Sequence, residues 1–88
     1  MVVTAQEITN ILIKLSKNVI SREEAQDWAI KCRNAFDAND LIFFPLDEEE
    51  KIWDALQFIE LYAEKIDRET FLYSNYDLSI FIDENNWG

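Results

Sequence analysis

Pro45 is the only interior turn-breaking residue of this chain, since the single glycine is residue 88. Its ring fixes its own φ and pushes the preceding residue, Phe44, away from helical angles. That argues against a regular helix through Phe44. The surrounding stretch, Asp40-Leu41-Ile42-Phe43-Phe44-Pro45-Leu46, holds two adjacent aromatics and is followed by the densest negative charge, Asp47 to Glu50. Its apolar run is too short to fit either the helical or the strand period. A short helical turn and an extended connection both stay open for Leu41 to Leu46.

Helices are predicted on both sides of this stretch. Thr4-Ala5-Gln6-Glu7 has the form of a capping box. Behind it Ile8, Ile11, Leu12, Leu15 and Val19 repeat at spacings of three and four, which predicts a helix from about Ala5 to Lys17. A second box at Ser21 to Glu24 precedes the apolar stripe Ala25, Trp28, Ala29, Cys32, Ala35 and Phe36. Asp37 to Asp40 favour turns and end that helix.

Asp47 is expected to cap a third helix, with Glu48, Glu49 and Glu50 in its first turn, where carboxylates meet the positive end of the helix dipole. Ile52, Leu56, Ile59, Ala63 and Ile66 form its face. Glu48 to Ile66 would then be the longest element, and Phe58 and Leu61, off that face, imply contacts on more than one side. After the polar break Asp67 to Thr70, Ser74 to Asp77 reads as another cap. Leu78, Phe81 and Ile82 then predict a short last helix, with a strand over Leu78 to Ile82 as the alternative. The tail Asp83 to Gly88 is expected to fray, with Trp87 able to dock on the body. The expectation is an all-α fold, a compact four-helix domain with a long third helix, spanning residues 1–88.

With 88 residues the chain sits near the lower end of what one hydrophobic core can stabilise, and 49% hydrophobic content makes that core plausible despite a net charge of −10. The charge is unevenly placed. Residues 1–36 carry five bases against four acids, whereas residues 37–88 carry three bases against fourteen acids, a net −11. Such a surface repels nucleic acid and anionic membrane and speeds encounter with a basic protein. Solubility alone is the plainer explanation of the same acidity.

The absence of histidine removes the usual general base, the Ser/His and Cys/His pairs and the commonest transition-metal ligand. The lack of interior glycine removes phosphate-binding loops. Asp47 to Glu50 lacks the alternating oxygen ligands and central glycine of an EF-hand, so no metal and no cofactor are expected. No catalytic residue is assigned; an enzyme built on paired carboxylates would need a cleft that strongly raises one carboxyl pKa. Cys32 lies in the apolar stripe and reads as a core residue, and a lone cysteine fits a reducing compartment. No leader or membrane span is evident, which favours a cytoplasmic protein.

Ser21-Arg22-Glu23-Glu24-Ala25-x-x-Trp28-Ala29, Trp53-Asp54-Ala55-Leu56, Phe71-Leu72-Tyr73 and the segment Asp77 to Phe81 together resemble a family of small bacterial proteins without an established function. That resemblance implies a related fold and no activity. More locally, Asp40-Leu41-Ile42-Phe43-Phe44-Pro45 is similar to the Asp-Leu-Ile-Tyr-Tyr-Pro of the immunity proteins that neutralise colicin-type nuclease toxins. Those are acidic four-helix proteins whose short third helix carries that motif, and its aromatics dock on the toxin. The likeness implies contact roles for Asp40, Phe43 and Phe44, although both tyrosine hydroxyls are missing here.

These observations lead to a non-enzymatic protein-binding module, an immunity-type inhibitor of a basic toxin. Asp40, Phe43 and Phe44 would be the contacts, with Glu48 and Glu49 steering. The alternative is a self-associating structural or scaffold protein that buries Phe43, Phe44 and Phe58 in a homo-oligomer.

Overall fold

A computed structural model describes residues 1–87. The elements run β1 (Val2–Thr4), α1 (Ala5–Ser16), α2 (Arg22–Asp37), β2 (Ile42–Phe44), a 3-10 turn (Leu46–Glu48), α3 (Glu49–Leu61) and α4 (Asn75–Glu84). Four helices form as the apolar spacing implies. The fold is not purely helical, however, because β1 and β2 pair as a two-stranded parallel sheet. No described helix is long and apolar enough to cross a membrane.

Three helices begin at capping boxes. The Glu7 N–H donates to Thr4 Oγ1 at 3.0 Å while the Thr4 N–H donates to Glu7 Oε1 at 3.1 Å. Ser21 with Glu24, and Ser74 with Asp77, repeat the arrangement at α2 and α4. Each box satisfies backbone donors that the first helical turn leaves free.

Helix ends are handled without glycine. Asn18, Asn39 and Asn86, with φ of 57°, 56° and 58°, take the left-handed position just past α1, α2 and α4. The following residue then closes a six-residue ring: Val19 N–H to Lys14 O, Asp40 N–H to Ala35 O and Trp87 N–H to Ile82 O, at 2.7–2.9 Å. This is the Schellman arrangement with asparagine in the place glycine usually holds. It ends α1 at Ser16, so Val19, expected on the helix face, is exposed.

The third helix departs most from expectation. It starts at Glu49, and Asp47 does not cap it; Asp47 lies in the 3-10 turn after Pro45, and Glu48 holds the cap position with no side-chain cap bond. It ends at Leu61 rather than Ile66, which makes α2, with 16 residues, the longest element. Side chains of α2 satisfy the carbonyls that this earlier end leaves free: Gln26 Nε2 donates to Glu60 O at 3.0 Å, and Arg22 Nη1 donates to Tyr62 O at 2.8 Å. Ile66 N–H instead donates to Thr70 O, Lys65 bridges to Phe71, and Ile66 is exposed.

The core lies between the helices and the inner face of the sheet. Ile8, Leu12 and Leu15 of α1, Ala25, Ala29 and Cys32 of α2, and Ile52, Ala55, Leu56 and Ile59 of α3 meet there with Val3, Phe43, Tyr62 and Leu78. Phe58 is half-buried, stacked on Phe81 of α4 at 4.1 Å and 3°. It therefore supplies the second contact side inferred for α3. Leu78 to Ile82 is helical, and Asp83 and Glu84 extend α4. Trp87 docks as a buried residue with Lys51 Nζ 4.4 Å from its ring, while Gly88 lies outside the described residues.

Arg22 ties the irregular segment after α3 to this core. Its guanidinium stacks 3.9 Å from the centre of the Tyr62 ring and 3.8 Å from that of Phe71, and donates to Tyr62 O and Tyr73 O at 2.8 and 2.6 Å. Replacing Arg22 with alanine strands two carbonyls and removes both stacking contacts. Arg22→Ala is expected to cost about 2 kcal/mol or more in urea unfolding, with Arg22→Lys recovering only part.

Burial pushes the Cys32 thiol up to about 11 from its ordinary 9.0, with the Glu7 carboxylate adding to the effect. Below pH 9 both folded and unfolded chains keep this proton. Between pH 9 and about 11 the unfolded chain loses it first, so stability falls as pH rises. Cys32→Ala should flatten that part of the stability profile.

Candidate protein-binding surface

The pairing of β1 with β2 decides where the two adjacent phenylalanines go. Val2, Val3 and Thr4 lie beside Ile42, Phe43 and Phe44 in parallel register. Because successive side chains of a strand point to opposite faces, partners in this register share a face. Val3 and Phe43 point into the core; Val2, Ile42 and Phe44 point out. Phe43 is accordingly 4% exposed and Phe44 63%, with Ile42 at 57% and Val2 at 51%. A short apolar strip thus crosses the outer face of the sheet. Leu46, in the turn after Pro45, is also exposed.

As folded, Phe43 offers a partner no surface, contrary to its expected contact role. Its ring meets Phe36 and Trp53 edge-on, with centroids 6.3 and 6.4 Å away. It packs beneath the outer strip, against these two rings. The helical turn left open for Leu41 to Leu46 is absent from Ile42 to Phe44, which is a strand, whereas the immunity-protein likeness implies a helix there.

Of the acidic candidates, Asp40 is exposed at the entrance to β2, its carboxylate 3.7 Å from Met1 N. Glu49 is exposed in the first turn of α3, while Glu48 is half-buried at the helix cap. Asp40 therefore lies on the approach to the apolar strip, with Glu48 and Glu49 beyond its far end along the chain.

A second feature was not anticipated. Phe36, at the end of α2, lies against Trp53 of α3 with centroids 4.4 Å apart. These rings, with Glu49, Glu50 and Asp54, line an open notch of about 470 Å³. Phe36 reads as core from its stripe, yet it is 42% exposed. A smaller hollow of about 250 Å³, also lined by Trp53, runs between α2 and α3, where Arg33 pairs with Glu60. The four-residue spacing of Glu50 and Asp54 could have shown that their side chains share a wall. That Phe36 completes the notch depends on tertiary packing.

Other polar groups have structural explanations. Tyr62 donates its hydroxyl to Asn75 Oδ1 at 2.6 Å; burial raises its pKa, against an opposing pull from Arg22. The Asp67 carboxyl is held below its usual range by the Glu69 N–H first and then by Thr70, which fastens the turn before Phe71. Among the described residues, no three acidic or cysteine side chains are gathered to hold a metal ion. The chain matches no protein-family model, no curated protein and no solved structure.

The split between the neighbouring rings is directly testable. Phe43→Ala opens a cavity in the core and should lower stability by about 3–5 kcal/mol. Phe44→Ala should change it by no more than about 0.5 kcal/mol, both read from denaturant unfolding. Equal costs would mean that the outer strip is covered.

Proposed function

We propose that this chain is a protein-binding module, not an enzyme, that engages a basic protein through the surface around Phe44. The carrying observation is an exposed aromatic on a paired strand, beside Ile42 and Val2, in the segment of residues 37–88 that bears a net −11. A large apolar side chain can supply affinity once desolvated, whereas surrounding charge mostly sets the rate and selectivity of encounter. Phe44 is the anchor in this reading, and Asp40, Glu48 and Glu49 steer the approach. Phe43 contributes from beneath.

The finer form is an immunity-type inhibitor of a basic toxin, acting in the cytoplasm. Residue order from Asp40 to Pro45 and the acidic balance support it; the extended conformation of Ile42 to Phe44 does not add to that support. A buried lone thiol fits a reducing compartment.

A second reading, self-association, draws on the same strip, because two copies could cover Val2, Ile42 and Phe44 with each other. Phe43 and Phe58 no longer contribute to it, the first being buried and the second stacked on Phe81.

Affinity capture from the native host followed by binding kinetics tests the leading reading. The captured partner should be basic, and its association rate should fall about tenfold or more between low and roughly 0.5 M salt. Phe44→Ala should accelerate dissociation without loss of stability, and reversal of Glu48 and Glu49 should slow association. Association unchanged by both salt and charge reversal would overturn the proposal. Sedimentation that finds a stable dimer, dissociated by Phe44→Ala, would favour self-association.

A further inference from the structure

We propose that Trp87, with the two asparagines before it, forms a latch that opens as a unit while the rest of the molecule stays folded. It is independent of the surface around Phe44. The segment leaves α4 through the left-handed Asn86 and turns the indole back into the core, where Trp87 is 4% exposed. The indole N–H is buried there and meets no acceptor. Among the described residues it is the one buried side-chain polar atom so placed.

A buried donor without an acceptor has given up the bonds it makes with water, which opposes docking of the ring. Ordering the backbone of Asn85, Asn86 and Trp87 opposes it further. The helix that delivers the segment gives little support. Leu78 is the one fully buried residue of α4, whereas α1, α2 and α3 each bury three or more. Asp83 and Glu84 stand in the last turn of α4 with no base beside them, at the end where the helix dipole disfavours carboxylates. Sparse burial and unpaired groups mark the parts of a fold that open locally before the whole unfolds.

Lys51 is the clasp that closes the latch. Its Nζ lies 4.4 Å from the centre of the Trp87 ring and donates to Asn86 O at 3.4 Å, so one cation holds both the ring and the chain before it. Lys51 otherwise occupies a poor position for a base, the first turn of α3 behind Glu49 and Glu50, where the dipole favours acids. It makes no ion pair among the described residues. The contacts with Trp87 and Asn86 account for its placement.

Opening frees the indole N–H to find an acceptor and uncovers the recess beside the start of α3. Whatever binds the freed indole or that recess draws the equilibrium open by mass action. The latch thus gates a second, covered surface.

The test is hydrogen exchange followed by NMR on the full chain, under conditions where closing outruns exchange. Relative to its free rate, the Trp87 indole N–H should exchange about tenfold or more faster than the amides of Ala55 and Leu56 in α3. Two variants separate local from global opening. Lys51→Met removes the clasp and should speed Trp87 exchange about tenfold. Ile59→Val lies two turns further along α3 and weakens only the core, so it should speed the α3 amides about fivefold and leave Trp87 exchange unchanged.

Trp87 protection equal to that of the α3 amides, or acceleration of Trp87 by Ile59→Val to the same extent as the amides, would overturn the latch. Unaltered Trp87 exchange in Lys51→Met would overturn the clasp. Trp87→Ala gives a further check, because a latch can contribute no more stability than its own closing. Its folding equilibrium should fall by no more than the factor by which exchange shows the closed form to be favoured. A larger fall, or failure to fold, would place Trp87 in the obligate core and overturn the proposal.

Discussion

Main-chain pairing between Val2–Thr4 and Ile42–Phe44 is the constraint from which the rest of the arrangement follows. Parallel strands cannot be joined by a tight turn and need a long crossover, which α1 and α2 supply together. Pairing brings the start of the chain to the edge of the Pro45 stretch and fixes the face each residue occupies. A slip of one residue would turn Phe44 into the core and expose Phe43. The buried ring then organises Phe36 and Trp53, so the outer strip and the notch depend on the same short ladder.

Local signals were legible in the sequence wherever structure depends on local chemistry. The capping boxes at Thr4, Ser21 and Ser74 announce three helix starts, and the apolar spacing behind each predicts the buried face. Of the ends, the sequence showed that of α2, through the turn-favouring residues Asp37 to Asp40; Asn18, Asn39 and Asn86 take the left-handed positions that glycine usually holds. What could not be read was non-local. A three-residue strand has too few positions to show a period, and its partner lies on the far side of two helices. Likewise, the apolar pattern through Ala63 and Ile66 continues past the point where Gln26 and Arg22 take the carbonyls of Glu60 and Tyr62.

The candidate surface shows the same division. Adjacent aromatics beside acids singled out this stretch, and Pro45 correctly set Phe44 outside any helix. Which ring faces water is a property of pairing, and the partnership of Phe36 with Trp53 is a property of how α2 meets α3. The carboxylates after Pro45 also divide by position: Glu48 occupies the cap position without bonding the helix start, while Glu49 and Glu50 both belong to the first turn of α3 and border a concave surface.

Among the described residues Arg22 has no carboxylate partner; two aromatic rings and two carbonyl oxygens hold it. A carboxylate clasp would weaken in acid as it protonated and in salt as its charges were screened. This clasp has no proton to gain on the acceptor side, and its stacked, half-buried contacts are poorly reached by ions. The attachment of residues 62–73 to the body should thus hold across the ionic strengths and mildly acidic conditions under which surface charges are tuned. Such a fastening lets a strongly acidic protein change its electrostatic reach with its surroundings while keeping its shape.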